Sequence, residues 1–205
     1  MGKIKTIYIG RMVTIATIVS FLILSCTPVK PADNLNPGVL PGLRTGLAPW
    51  PAEISQLRQR LQNINLPALP MEGEVLHIHQ HMDISIDGKP VQVPADIGIN
   101  ETQGFISPIH THDLTGIIHV ESPTIQVFTL GQFFDIWGVR FTADCIGGYC
   151  NTPDKSLKVY VNGKLSSADP RDIVLEDHEE IFVFFGSADE LPVQIPSTFS
   201  FPPGY

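Results

Sequence analysis

Residues 74–86 alternate between apolar and polar side chains, which is the pattern of a β-strand with one buried face. The apolar face comprises Leu76, Ile78, Met82, Ile84 and Ile86. The opposite face carries His77, His79, His81, Asp83 and Ser85. Asp87-Gly88 then marks a tight hairpin turn, and Val91 and Val93 begin the predicted return strand.

Three stretches further along the chain also have strand patterns. Residues 108–121 predict a pair of strands or a strand, loop and strand. Residues 157–161 (LKVYV) predict a strand that turns at Asn162-Gly163. Residues 181–185 (IFVFF) are apolar throughout, which indicates a strand buried on both faces.

Two segments have helical spacing instead. Residues 51–66 predict a short amphipathic helix whose apolar face is formed by Ile54, Leu57, Leu61 and Ile64. A second helix follows Thr129, which has the spacing of an N-cap to Gln132, and it ends at Gly138. We expect its apolar face to pack on the sheet through Leu130, Phe133, Phe134 and Trp137.

This order of elements predicts an α+β fold, with a single small mixed sheet, one packed helix and a short helix before them. The arrangement resembles the β-grasp fold, most clearly over residues 158–186. The alternative is an all-β sandwich or a cupin-like barrel, because Gly104, His110 and His112 have the spacing that opens the cupin metal motif. The glutamate of that motif is missing from its place, since Glu121 comes too late.

Residues 1–25 have the pattern of a signal peptide. An apolar run over residues 12–24 is too short to span a bilayer, which takes about 20 residues. The run is preceded by three basic residues, Lys3, Lys5 and Arg11. The serine and Cys26 that follow resemble a bacterial lipobox, so we expect Cys26 to be the lipidated first residue. The alternative is an ordinary signal peptide or short anchor that ends near a cysteine.

Composition divides the rest of the chain. Residues 26–50 are dense in proline, glycine and asparagine, which predicts a flexible tether. Residues 72–190 are the predicted His-rich globular domain, and residues 191–205 carry four prolines and predict an irregular tail. Signal, lipid and tether together predict a protein anchored to a membrane and facing the periplasm or the cell exterior.

Charge and cysteine content restrict the partners and the compartment. Without the predicted signal peptide, ten basic residues stand against 21 acidic ones, which gives a formal net charge of −11. Nucleic acid is therefore excluded as a partner, because phosphate binding needs a basic surface, whereas cations are compatible.

Cys145 and Cys150 predict a disulfide, as expected for an even count in an exported chain. The alternative is a pair of thiolate metal ligands, which normally has tighter spacing and a second pair.

Six of the seven histidines lie between residues 77 and 119. They are the candidate metal ligands His77, His79, His81, His110, His112 and His119. Alternate residues on one strand face are about 6.6 Å apart, so a His-x-His pair can share one ion. His77 and His81 are about 13 Å apart by the same rise, too far to share an ion easily. Imidazole-rich sets suit zinc, copper, nickel or iron rather than calcium or magnesium.

Carboxylates close to these histidines are further candidates. Asp83, Asp113 and Glu121 could bind the metal or orient a ligand. His119 is compatible with three roles: a ligand, a group that supports a ligand, or a buried histidine bonded to Glu121. Alternating histidines could also be mere polar filler on an exposed strand face, but lysine, glutamate, threonine and serine fill such positions far more often.

Several segments resemble an uncharacterised domain of exported and membrane-anchored bacterial proteins. They are LHIHQHMDISIDGKPVQVPADIGI, ISPIHTHDLTGIIHVESP, FTLGQFFDIWGVRFT, GGYC, VYVNGK and DPRDIVL. The resemblance covers roughly residues 72–186, and the His-x-His-x-His and His-Thr-His-Asp segments are its most distinctive parts. It implies a domain boundary and an extracytoplasmic setting, and it supplies no activity.

Three functions are compatible with these patterns. The first is a lipoprotein that binds copper or zinc for buffering, sensing or transfer, with another metal-handling protein as a partner. The second is a metal-dependent enzyme with three histidines and an open coordination position. The third is a β-grasp module whose histidine face binds a protein or glycan without metal. Motifs for phosphate binding or nucleophilic catalysis are absent from the sequence, which favours binding, and we assign no catalytic residue.

Overall fold

The computed structural model describes Gly2 and residues 40–205. Gly2 apart, the predicted signal peptide lies outside the described residues, as do Cys26 and the predicted tether up to residue 39. Among the described residues, no helix is both long enough and apolar enough to cross a membrane.

The described chain contains two α-helices, eleven strands and three short 3₁₀ turns. The helices are α1 (Leu57–Asn63) and α2 (Leu130–Trp137). The strands are β1 (Leu76–Ile86), β2 (Lys89–Val91), β3 (Ile99–Asn100), β4 (Phe105–Ile106), β5 (Ile109–His110), β6 (Ile117–Ser122), β7 (Cys145–Ile146), β8 (Tyr149–Cys150), β9 (Ser156–Val161), β10 (Lys164–Leu165) and β11 (Glu180–Gly186).

Seven strands form one mixed sheet in the order β10-β9-β11-β1-β6-β5, with β2 also paired to β1. Strand β1 is long enough to pair with β6 along its first half and with β2 along its second half, on the same edge. Strands β1 and β11 are parallel, and every other pair in this sheet is antiparallel. The α+β prediction is confirmed, with a β-grasp-like parallel pair at the centre. The sheet does not close on itself in the described chain, so the barrel alternative is wrong.

Helix α2 covers the inner face of the sheet, as its apolar stripe predicts. The capping box between Thr129 and Gln132 is formed, and Gly138 ends the helix in the left-handed conformation at φ 76°. Its aromatic side chains share one hydrophobic core with the inward residues of β1, β5, β6 and β11. Those inward residues include Ile84, Ile86, Ile109, Val120, Ile181, Val183 and Phe185. The histidine side chains of β1, β5 and β6 therefore lie on the opposite face of the sheet.

The first described segment packs more closely, and α1 is shorter, than the sequence indicates. Leu40 and Trp50 are buried within the range predicted as a tether, and the backbone carbonyl of Trp50 accepts a hydrogen bond from the Trp137 indole at 3.0 Å. The packed chain thus begins by residue 40. Helix α1 starts only at Leu57 because the Glu53 carboxylate accepts hydrogen bonds from the amides of the preceding turn.

The chain after β11 is irregular, as predicted, but it lies against the outer face of the sheet. Leu191 and Ile195 pack on a second apolar cluster formed by Tyr160, Phe182 and Phe184. Further on, the Phe199 ring stacks on the His81 ring with centroids 3.7 Å apart. The tail therefore crosses the face that carries the histidines.

The predicted disulfide between Cys145 and Cys150 is formed, and it joins the two strands of the β7–β8 hairpin.

Candidate metal centre

Strand register brings three histidines into one row across the sheet. His79 on β1 lies opposite His119 on β6, and His119 lies opposite His110 on β5. One pleat along, His77 lies opposite Glu121. Directly opposed residues on one face of an antiparallel pair have Cβ atoms about 4.5–5.5 Å apart. The sheet itself therefore gathers four imidazoles and a carboxylate on its outer face.

The apolar residues between these positions explain why the polar side chains all point outwards. Ile78 lies opposite Val120, and Val120 lies opposite Ile109. Val120 and Ile109 are part of the hydrophobic core, and Ile78 packs against it. A slip of one residue in any of these pairings would bury histidines and expose the core, so hydrophobic burial fixes the alignment of the ligands.

A first group comprises His110, His112, His119 and Glu121, whose ligand atoms all lie within 4.8 Å of one another. The Nε2 atoms of His110 and His112 are 3.1 Å apart. His110 Nδ1 donates a hydrogen bond of 3.0 Å to the Ser107 carbonyl. Because that carbonyl can only accept, the neutral His110 ring has its lone pair on Nε2, facing the other ligands.

A second group comprises His77, His79 and Glu121, and it shares the glutamate with the first. The Nε2 atoms of His77 and His79 are 3.2 Å apart. The His77 Nε2 atom is also 3.2 Å from Glu121 Oε1. Nitrogens bound at 2.0–2.1 Å to one tetrahedral zinc ion are separated by about 3.3 Å. Each His-x-His pair is thus already close to the spacing of two ligands on one ion.

Glu121 is buried between the two histidine pairs, with 4% of its side chain exposed. Its Oε1 atom accepts a hydrogen bond of 3.2 Å from His119 Nδ1. Its Oε2 atom is buried without a hydrogen-bond partner and lies 3.8 Å from His110 Nε2. A buried carboxylate oxygen without a partner is costly, and a bound cation would satisfy it.

The surroundings hold the central histidines neutral and the glutamate ionised. Burial, together with the neighbouring His119 and His77, lowers the pKa of His79 to about 4. Burial likewise lowers the pKa of His110 to about 3. Burial opposes ionisation of Glu121, but the His119 hydrogen bond and nearby histidines keep the pKa of its carboxyl below the usual value. Neutral imidazoles beside a carboxylate are the protonation states that metal binding requires.

His81 belongs to a different environment. Its Nδ1 atom donates a hydrogen bond of 2.7 Å to Glu180, and its Nε2 atom donates one of 2.9 Å to the Thr115 carbonyl. Burial would lower the pKa of His81, but the charges of Glu180 and Asp83 and the two hydrogen bonds raise it above the usual value. His81, Asp83 and Glu180 have ligand atoms close enough for an ion, yet both ring nitrogens are occupied by protons. This geometry favours an ion pair.

Asp113 does not join the described groups of candidate ligands. Its carboxylate accepts a hydrogen bond of 2.8 Å from the Thr115 amide, which closes the turn before β6. His119 and His112 lie near enough to contribute to the lowered pKa of the Asp113 carboxyl, after its hydrogen bonds to Thr115. That Asp113 binds the metal or orients a ligand stays a prediction. Glu180, by contrast, is a residue that the sequence did not single out, because it lies 99 positions from its partner His81.

Access to the centre is partial. The exposed fractions of the His77 and His112 side chains are 54% and 40%, whereas those of His110 and His119 are 0% and 7%. His79 is also buried, so each His-x-His pair combines one buried and one exposed ring. The ring of Tyr205, from the tail, lies over His79 and His119 with centroid distances of 4.7 and 5.4 Å.

Comparison with protein-family models, curated proteins and solved structures gives no significant match for this chain.

Proposed function

We propose that this chain is an extracytoplasmic lipoprotein that binds a transition metal ion, copper or zinc, through His110, His112, His119 and Glu121. The observation that carries the proposal is the buried Glu121 carboxylate, whose Oε2 atom has no partner and faces the converging imidazoles. Three nitrogens and one carboxylate oxygen form a donor set suited to these metals.

Partial exposure supports a role in buffering, sensing or transfer. His112 is open enough for a chelator or a protein partner to approach the ion, while His110 and His119 hold the site together from within the sheet. The acidic surroundings favour cation capture: Glu72 lies 3.4 Å from His112 through Oε1 and Nε2. A second metal-handling protein is the partner class that fits such a site.

Export and lipid attachment at Cys26 belong to the same proposal. They are supported by the basic and apolar pattern of residues 1–25 and by the cysteine that follows it. The disulfide between Cys145 and Cys150 is compatible with an oxidising compartment outside the cytoplasm.

The test is metal analysis of the full chain, expressed with its own N-terminus in a bacterial host and purified from the membrane fraction. We expect copper or zinc to be retained after extensive dialysis and removed by a chelator. His112→Ala and Glu121→Gln are the informative variants, because the first removes an exposed ring and the second is isosteric. Each should weaken binding at least about tenfold, the lower bound for disturbing a metal ligand set.

Glu101→Gln is the matched control for Glu121→Gln, since Glu101 is exposed and lies outside the three candidate groups. It should bind as the wild-type chain does. Absence of metal from the wild-type chain, with no uptake from an equimolar mixture of copper and zinc, would overturn the proposal. Mass spectrometry of the N-terminal peptide tests lipidation at Cys26 separately.

A further inference from the structure

Glu121 stands between two sets of imidazoles and contacts both, since its Oε1 atom also accepts the hydrogen bond from His119 Nδ1. The Oε1 atom is 3.2 Å from His77 Nε2, and the Oε2 atom is 3.8 Å from His110 Nε2. A carboxylate whose oxygens lie within reach of two ligand sets is placed to act as a bridging ligand.

The ligand count leads to the same conclusion. A tetrahedral ion is saturated by His110, His112, His119 and Glu121. That leaves the His77–His79 pair, with its two Nε2 atoms 3.2 Å apart and within reach of the same glutamate. This second pair has the spacing of two ligands on one ion, and it cannot be accommodated on the first.

We propose that the centre is dinuclear: one ion is held by His110, His112 and His119, a second by His77 and His79, and Glu121 bridges the two. This inference rests on the proposed function and extends it from one ion to a coupled pair. With two protein nitrogens and one bridging oxygen, the second ion keeps an open coordination position. It lies beside His77, the most exposed ligand of the centre, so this ion should exchange more readily.

Charge balance is compatible with two cations. Besides Glu121, the carboxylate of Glu72 lies beside His112, and Asp177 Oδ1 accepts a hydrogen bond of 3.0 Å from the His79 amide. Each half of the centre thus has a second carboxylate at its margin. These groups lower the electrostatic cost of placing two divalent ions close together.

The experiment is a stoichiometric titration of the full, metal-free chain with Zn²⁺ and, separately, with Cu²⁺. Wild type should bind two equivalents. His77→Ala should bind one, because it removes a ligand of the second ion. Since His77 is exposed, its loss should leave the sheet pairing intact. His79→Gln provides a second variant of the same set, and the control Glu101→Gln should retain both equivalents. Circular dichroism of each metal-free variant verifies folding.

Electron paramagnetic resonance of the Cu²⁺-loaded chain tests the bridge itself. Two copper ions that share a carboxylate are expected to couple, so the integrated signal at two equivalents should fall below that of two isolated ions. Glu121→Gln and His77→Ala should abolish the coupling.

The outcomes separate the two proposals. One equivalent in wild type that is unchanged in His77→Ala overturns the dinuclear centre and leaves the mononuclear site standing. No bound metal overturns both proposals. Two equivalents without coupling, in wild type and in Glu121→Gln alike, overturn the bridge.

Discussion

His79 and His81 lie two residues apart on the same face of β1, and their surroundings favour opposite protonation states. Burial and the neighbouring histidines lower the pKa of His79 to about 4, whereas bonding to Glu180 raises the pKa of His81. The difference comes from the strand opposite each ring. His79 lies opposite His119 on β6, and His81 lies opposite Glu180 on β11. The surroundings of His79 favour the neutral imidazole that metal binding requires, whereas those of His81 favour the protonated ring.

The first prediction concerns the acid stability of the metal-free chain. His79 and His110 have folded-state pKa values of about 4 and about 3, below the usual value of 6.5, so the unfolded chain binds more protons as the pH falls. Stability should therefore decrease from about pH 6.5 down to pH 3, by up to about 8 kcal/mol at about 1.4 kcal/mol for each unit of pKa difference. Urea unfolding at several pH values measures this loss.

His110→Gln provides the control for that experiment, since it removes the group with the lower of the two pKa values. The acid limb of the stability profile should become shallower in this variant. A profile as steep as that of the wild-type chain would contradict the assignment of His110 as a buried neutral imidazole.

The second prediction has the opposite sign and concerns His81. Because its pKa is raised in the folded chain, its charge stabilises the fold fully below the unfolded value of about 6.5, and this contribution is lost as the pH rises through the folded value. Glu180→Gln should therefore destabilise the metal-free chain most at pH 5.5–6.5. The difference from wild type should narrow at alkaline pH. A constant difference across the range would argue that Glu180 acts through packing alone.

Local pattern was enough to predict the strand that carries His77 and His79 and the helix that covers its inner face. The capping box of Thr129 and Gln132 could also be read from spacing, because capping depends on residues only three positions apart. These predictions concern short-range order, which hydrophobic period and backbone hydrogen bonding determine.

The composition of the candidate site could be predicted, but its geometry could not. His79, His119 and His110 share a row only because β6 pairs with both β1 and β5 in one register, and pairing between distant segments leaves no local signal. The parallel pairing of β1 with β11 likewise brings Glu180 to His81 from 99 positions away. The prolines of the tail correctly predicted an irregular segment. They gave no sign that Phe199 and Tyr205 of the tail would pack on the histidine rings.

The third prediction concerns Tyr205, whose ring covers His79 and His119. The His178 Nε2 atom donates a hydrogen bond of 3.0 Å to the Tyr205 carbonyl, which helps to hold the tail in place. An aromatic contact contributes about 0.5–1.5 kcal/mol, so Tyr205→Ala should speed metal release to a chelator by roughly two- to tenfold. Stopped-flow measurement with a chromogenic chelator gives this rate.

Tyr205→Phe retains the ring and serves as the matched variant. It should release metal at the wild-type rate, and both variants should keep the wild-type stoichiometry. Equal release rates for the alanine variant and wild type would show that the ring does not restrict exchange. A reduced stoichiometry in Tyr205→Phe would instead indicate that the hydroxyl oxygen is a ligand.

The fourth prediction concerns a buried ion pair remote from the histidines. Arg171, in the 3₁₀ turn Pro170–Asp172, donates hydrogen bonds of 3.1 and 2.7 Å to the two carboxylate oxygens of Asp135 on α2. Arg171 also donates a hydrogen bond of 2.9 Å to the Phe141 carbonyl, so it contacts both α2 and the segment that follows the helix. Burial raises the pKa of Asp135 although Arg171 opposes that effect.

Arg171→Met should cost about 3–5 kcal/mol in the free energy of unfolding, because it leaves the Asp135 carboxylate buried without its partner. The double variant Arg171→Met with Asp135→Leu should recover most of that loss, since two apolar side chains no longer require hydrogen-bond partners. Urea unfolding of the four members of the cycle measures the coupling. Additive losses would show that the two residues stabilise the fold independently. Metal stoichiometry should be unchanged throughout, because the pair contacts none of the proposed ligands.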